Sequence, residues 1–268
     1  MSGTEKQFEF DEKVSERLDR LFNTEALKAL RREYFQLFSA QPGERILDIG
    51  CGTAANSIAL AKRLAGRCSI LALDNSDSML AIARNRIQQF TYQNSVHVQK
   101  MDAQRLDLPG DSFDSCMIIQ VLEYAKDPIG MLREARRVLK PGGKVFVADT
   151  DWDTIVWNSS QKEKTRQIVE LWSDHDADGW QGRKIPEYLK RAGFQNVKGR
   201  VFNIFEDRFD ETNYSYIVTD LIASYLIQSG KMPEPEVRDW VEDLKSKNRA
   251  GHFYFSVSRF AFVGFKIS

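Results

Sequence analysis

The stretch Ile46 to Ala54, ILDIGCGTA, decides the fold: an apolar strand ends in Asp48 and breaks at once into a glycine turn. Gly50 and Gly52 supply backbone that turns sharply and lets a ligand approach without a Cβ in the way. The residues Thr53 to Leu64 that follow have the spacing of an amphipathic helix, so the loop sits on a helix N-terminus. Two ligands suit this arrangement. One is a dinucleotide, because Gly50-x-Gly52-x-x-Ala55 also fits the loose fingerprint whose pyrophosphate lies at a helix end.

Asp48 separates the two. Two residues before the first glycine, its carboxylate repels a pyrophosphate and attracts a ligand carrying an ammonium group and a positive sulfonium. S-adenosyl-L-methionine is such a ligand. The competing role for Asp48 is to cap the loop by accepting backbone N–H bonds.

From Pro42-Gly43, the turn into this strand, apolar strands alternate with helical stretches along the chain, the signature of a parallel sheet covered by helices on both faces. The strands expected are Arg45 to Ile49, Ser69 to Leu73, Val96 to Met101, Phe113 to Ile119 and Lys144 to Asp149, with helices over Ala54 to Ala65, Ser76 to Phe90 and Pro128 to Leu139. Lys140-Pro141-Gly142-Gly143 is expected to reverse the chain. Upstream, apolar residues from Leu18 to Phe38 recur at helical spacing, interrupted near Asn23 and Thr24, which predicts two helices able to cover the cleft. Downstream come helical material to Ser173, a helix over Ile185 to Arg191, and strands over Asn196 to Phe205 and Phe253 to Lys266. Between those last two strands lie about two helices where a hairpin would suffice, and such an insertion is costly to order unless it covers something.

Composition narrows the partners. At 268 residues and 42% hydrophobic content the chain can bury one large core. It is expected to form one domain over 1–268, with a helical cover (1–42), a cofactor-binding core (43–150), and a lid, insertion and final strands (151–268). Lysine and arginine total 38 against 38 acidic residues, so there is no positive field to hold a nucleic acid. The three cysteines, Cys51, Cys68 and Cys116, fit neither a disulfide framework nor a metal cluster. A charged N-terminus and the lack of a long apolar run argue against a signal peptide, a membrane span or a membrane partner, and for a cytoplasmic location. Oligomeric state is not fixed by the sequence.

A series of motifs in order then resembles the class I S-adenosylmethionine-dependent methyltransferases, of the type that includes ubiquinone and menaquinone biosynthesis enzymes. ILDIGCGT is similar to their glycine loop, ALDNSDSML from Ala72 to their second-strand acidic residue and helix start, and MDAQRLDLPGDSFD from Met101 to their adenine-contacting segment. IIQVLEYAKDP from Ile118 and RVLKPGGKVFVAD from Arg137 resemble the fourth and fifth strands, with weaker likeness in GRKIPEYLKRAGF from Gly182 and FYFSVSRFAFVGFK from Phe253. Two positions depart: Ala54 replaces a third glycine, and Gln120 stands where many relatives have a histidine, so it cannot take a proton at neutral pH. The resemblance implies a Rossmann-like, doubly wound sheet of seven strands whose last strand is antiparallel and inserted beside the fifth.

With Asp48, Gly50, Cys51 and Gly52 forming the loop, the remaining cofactor-binding candidates have separate roles. Asp74, roughly 20 residues beyond the glycines, is at the right distance for its carboxylate to accept from both ribose hydroxyls; its other reading is a helix N-cap. Asn75 borders the adenosine and Met79 packs on adenine or in the core. Asp102 accepts from the adenine amino group, or is a turn residue, and the Ala103 N–H donates to a ring nitrogen. Gln120 borders the methionine moiety. Arg31 and Arg32 are either a grip on the ligand carboxylate or plain helix charges.

The reaction implied is in-line displacement on the sulfonium methyl by a small-molecule acceptor, aromatic or apolar, at oxygen, nitrogen or carbon, with the enzyme supplying alignment and exclusion of water. An RNA or protein acceptor, or cofactor binding without turnover, are the alternatives. Tyr124, Asp151, Trp152 and His175 are the pocket candidates, His175 as a general base. Asp149, Asp151 and Asp153 share one side if the fifth strand persists. Trp152, Trp157, Trp172 and Trp180 either wall the pocket or fasten the lid.

Overall fold

The computed structural model describes residues 11–173 and 179–267. Its centre is a mixed sheet built from β1 (Arg45–Ile49), β2 (Ser69–Asp74), β3 (Val96–Lys100), β4 (Phe113–Ile119), β5 (Leu139–Thr150), the two-residue β6 (Val156–Trp157), β7 (Gln195–Glu206) and β8 (Phe255–Phe265). The order is β3-β2-β1-β4-β5-β8-β6, with β7 also paired to β8. The first five strands are parallel, and β8 runs antiparallel between β5 and β7, pairing Val147 with Phe262 and Arg259 with both Thr150 and Phe202. The expected placement of the last strand is therefore found, with the short β6 as an eighth strand.

Alternation along the strands feeds two cores. Ile46, Phe146 and Ala148 face one of them, and Leu47, Ile49, Val145 and Val147 face the other. On the first face lie α1 (Glu12–Phe22), α2 (Glu25–Phe38), α3 (Ala55–Arg63) and α4 (Asp77–Gln88). The second face is covered by α5 (Pro128–Val138) and α7 (Gln181–Arg191). Tyr34 of α2 shows why that helix docks where it does: its ring meets Phe146 at 5.3 Å and Phe202 edge-on at 5.2 Å. The break between α1 and α2 falls at Asn23 and Thr24 as expected, and the Thr24 hydroxyl caps α2 by accepting from the Leu27 N–H.

One expectation is corrected. Lys140 to Gly143 do not separate a helix from a strand; β5 already pairs with β4 at Leu139, loops out, and resumes at Lys144. Gly142 N–H donates to the Lys266 carbonyl and Lys266 N–H to the Gly143 carbonyl, so the end of β8 satisfies the bulge.

The insertion between β7 and β8 forms α8 (Tyr214–Gln228) and α9 (Glu234–Arg249), and α6 (Lys162–Ser173) precedes α7. α8 reaches over the carboxyl ends of the parallel strands, while α9 stands behind it. Trp240 of α9 is fully buried, edge-on to Trp157 at 5.3 Å, and donates from Nε1 to Thr165. Among the described residues no helix is long and apolar enough to cross a membrane.

Candidate active site

The parallel strands end at a cavity of about 1840 Å³, where open α/β sheets collect ligands. Single small-molecule pockets run to roughly 1,000 Å³, so this one has room for two ligands side by side. Its lining comes from the glycine loop, the ends of β2 and β4, α1 and α2 on one side, and α8 on the other.

Three alternate residues with left-handed backbone shape the loop: Gly50 at φ 69°, Gly52 at φ 53° and Ala54 at φ 58°. Ala54 keeps the turn that a third glycine would make, at the steric cost a Cβ carries there. A Cβ on Gly50 would stand 2.4 Å from a Val121 methyl, so β4's exit packs directly on this glycine. At Gly52 a Cβ would point into the cradle, with Phe22 at 3.5 Å and the Met79 sulfur at 3.9 Å as its nearest neighbours. Cys51 N–H donates to the Leu73 carbonyl at 2.8 Å, which ties the loop to β2.

Asp74 closes β2 and braces the same loop. One carboxylate oxygen accepts from Gly52 N–H at 2.8 Å, the other from Ser76 N–H at 2.9 Å. Ser76, not Asp74, is the N-cap of α4, so that alternative falls away. Burial raises the Asp74 pKa, and the N–H groups of Ser76, Gly52 and Asn75 work against the rise. Each oxygen retains lone pairs on the cavity side for hydroxyl donors. Asn75, Met79, Asp102, Ala103, Gln120, Tyr124 and Trp152 also line the cavity. Asp102 makes its own turn by accepting from Gln104 N–H at 2.9 Å, so it is a turn residue and a cavity residue at once.

Other candidates lie elsewhere. Asp48 does not line the cavity. It is buried on the α3 side of β1, where Ser57 Oγ donates to it at 2.6 Å. Period-2 alternation puts it on the Ile46 face beneath the loop, and burial pushes its pKa up to about 7, which weakens the attraction for a cation expected of it. Asp151 is likewise absent from the cavity: fully buried, it is held by Arg183, whose guanidinium also reaches Asp153 at 3.2 Å. Asp149, still within β5, parts from the other two and accepts from Leu122 N–H at 3.0 Å. His175 lies outside the described residues. The tryptophans divide between the two roles: Trp152 and Trp172 line the cavity, edge-on at 5.4 Å, whereas Trp157 packs on Trp240 and Trp180 is exposed.

The sequence reading gave Arg31 an open role and passed over Glu123 and Arg259. Arg31 is buried in the cavity wall, and its Nε donates to Asn56 at 2.9 Å; burial draws its pKa down to about 10, while Arg32 stays exposed. Glu123, 2% exposed, accepts from Gln120 Nε2 at 2.8 Å and from Trp152 Nε1 at 2.9 Å. Arg259, 3% exposed, donates to Thr150 Oγ1 and, at 2.7 Å, to the Tyr214 hydroxyl. Thr150 in turn donates to Gln120 Oε1 at 3.0 Å, linking the set into one buried polar chain. A signal for Arg259 was in the sequence: along β8 it shares a face with Phe255, Val257, Ala261 and Val263, all buried, and is the one charge among them. Glu123 follows β4 in a short 3₁₀ turn, where no periodicity marks it.

Fold and cavity together define a doubly wound α/β protein with a ligand-sized crevice beside its glycine loop. A family model of the methyltransferase domain matches residues 47–147. The chain is 34% identical over 212 residues to a demethylmenaquinone methyltransferase of Listeria welshimeri, covering 72% of this chain and 89% of that one. Among solved structures, a candidate methyltransferase of Bacillus halodurans superposes at TM-score 0.62 and 18% identity, over 90% of this chain and 100% of that one. Phosphoethanolamine N-methyltransferase 2 of Haemonchus contortus, solved with S-adenosyl-L-methionine, gives TM-score 0.64 at 19% identity over 97% of this chain and 58% of that one. The chain belongs to the class I S-adenosylmethionine-dependent methyltransferases.

Its cofactor is therefore S-adenosyl-L-methionine, and the residues present fit it. The Gly52 cradle is open where a Cβ would intrude, and the Asp74 carboxylate has acceptor capacity to spare beside it.

Proposed function

We propose that the enzyme methylates a small molecule with a flat or apolar body, and that transfer is a direct in-line displacement with no covalent protein intermediate. The apolar walls on two sides of the cavity carry this reading. Leu18 and Phe22 of α1 and Leu27 and Leu30 of α2 close one side, Val218, Leu221 and Tyr225 of α8 the other. A wall of this kind suits a ligand that is swallowed, whereas an RNA or protein acceptor calls for an open face.

When bound, the cofactor supplies an electrophilic methyl group on a sulfonium. The chain's own groups hold and orient. Asp74 accepts from the ribose hydroxyls, Asp102 from the adenine amino group, and the Ala103 N–H donates to a ring nitrogen. Met79 packs on the adenine and Asn75 borders the adenosine, while Gly50, Cys51 and Gly52 offer backbone to the ligand and Gln120 faces the methionine portion. Arg31 takes the cofactor carboxylate. Asp48 shapes the loop from behind through Ser57. The helical cover and α8 exclude water, which strengthens alignment and suppresses hydrolysis. The three thiols are free in the structure, in keeping with a cytoplasmic protein, and residues 1–268 are read as one domain.

The test is mass spectrometry of ligand carried through purification, followed by transfer of labelled methyl from S-adenosylmethionine to small phenols, amines and aromatic acids, with bulk RNA and protein as competitors. Copurified S-adenosylhomocysteine and label in the small molecules are expected. Label confined to RNA or protein overturns the acceptor class.

A further inference from the structure

Arg259 is a full positive charge inside the molecule, lining the cavity from β8 opposite Thr150 of β5. A guanidinium has five N–H donors; among the described residues two hydrogen bonds hold this one, to Thr150 and to Tyr214, over whose ring it also lies at 5.6 Å. Among those residues Nε has no hydrogen-bond partner and no carboxylate pairs with the group directly. A buried cation so sparsely satisfied is costly unless something completes it. Burial works against its charge, but the oxygens of Tyr214, Tyr34, Glu123 and Asp149 around it outweigh that and hold its pKa above the ordinary arginine value. The charge persists at any working pH.

The surroundings fix the shape of what would complete it. Trp152 and Trp172 stand edge-on at 5.4 Å, Trp172 meets Tyr225 at 5.7 Å, and at the mouth Lys231 lies over the Tyr225 ring at 5.1 Å. Aromatic edges and faces thus line this part of the cavity, with one cation at Arg259 and another at Lys231. The competing feature is Glu123, a buried carboxylate that would favour an amine. Each of its oxygens accepts one bond, from Gln120 and Trp152, whereas Arg259 Nε has no partner among the described residues.

We propose that the acceptor is an aromatic molecule bearing an oxyanion, a carboxylate or a phenolate, and that Arg259 holds that oxygen and so sets which molecules are methylated. This rests on the small-molecule reading above. Two N–H groups of a planar fork meet such an oxygen with a geometry that lysine cannot copy.

Calorimetry on the full chain saturated with S-adenosylhomocysteine tests it with three probes of one shape: 2-naphthoate, 2-naphthamide and 2-naphthylmethylamine. The wild type is expected to bind the naphthoate about 10- to 100-fold more tightly than the amide, the worth of a charge-assisted hydrogen bond, and the amine most weakly. Arg259→Gln should erase the preference with S-adenosylhomocysteine affinity unchanged within about twofold, and Arg259→Lys should keep part of it. Equal binding of naphthoate and amide overturns the proposal and leaves the small-molecule reading standing; tightest binding of the amine overturns it in favour of Glu123. No binding of any probe to the loaded protein overturns both. Should Arg259→Gln fail to fold, the wild-type order of the three probes decides alone.

Discussion

At the scale of single residues, the glycine loop shows how local sterics and burial divide work between neighbours. Gly50→Ala places a methyl against Val121 in a left-handed turn, and should lower stability by about 2–4 kcal/mol; Val121→Ala in the same chain should restore roughly half, as read by denaturant unfolding. Asp48 gives a pH signature. Its folded pKa, about 7, lies above the unfolded carboxylate value, so its contribution to stability is full below about pH 4 and is lost as pH rises through 7. Asp48→Asn keeps an acceptor for Ser57, and the unfolding free energy should then lose that slope between pH 4 and 7; a slope identical to wild type would place the titrating group elsewhere. Asp74→Ala removes acceptors from Gly52, from Ser76 and from the ribose, and calorimetry should show cofactor affinity falling roughly 10- to 100-fold. Unchanged binding would refute the ribose role.

At the scale of elements, the first five strands and their helices were legible because each carries a local pattern: an apolar run, a cap, a glycine at the exit. Ser76 before α4 and Pro128 at the start of α5 are such marks. The bulge at Lys140 to Gly143 was not, since Pro-Gly-Gly reads as a turn whether or not pairing resumes on the far side, and only the Lys266 backbone decides. Nor was the fate of Asp151, whose partner Arg183 lies 32 residues on in a different helix. Of the cavity lining, the residues of the glycine loop and of the β2 and β4 exits follow one another along the chain as expected, whereas Glu123, Arg259 and the α8 residues are brought there from short 3₁₀ turns, α8 and β8, where proximity is a product of folding alone. The lid insertion follows the same division. α8 faces the cavity and α9 props it, so Trp240→Ala should cost about 3–5 kcal/mol in unfolding free energy while cofactor affinity in the folded protein stays within a few-fold of wild type. A loss of affinity as large as that of Asp74→Ala would mean that α9 shapes the cofactor pocket itself.

At the scale of the whole molecule, one cavity is bounded by segments far apart in sequence: an N-terminal pair of helices, the strand exits, and an insertion near the other end. Such borders are the low-stability part of a fold whose central strands are buried on both faces. Adding S-adenosylhomocysteine should therefore slow amide exchange at least about tenfold across residues 18–31 and 120–126, with little change at the centres of β1, β4 and β5. Hydrogen-exchange mass spectrometry reads both, and uniform slowing over the sheet would argue for global stabilisation in place of a closing rim. Along the wall of that space runs the buried chain from Arg259 through Thr150 and Gln120 to Glu123 and Trp152. Gln120 spends its amide on both neighbours, donating to Glu123 and accepting from Thr150, so its orientation is set before any ligand arrives and no rearrangement is needed to present it.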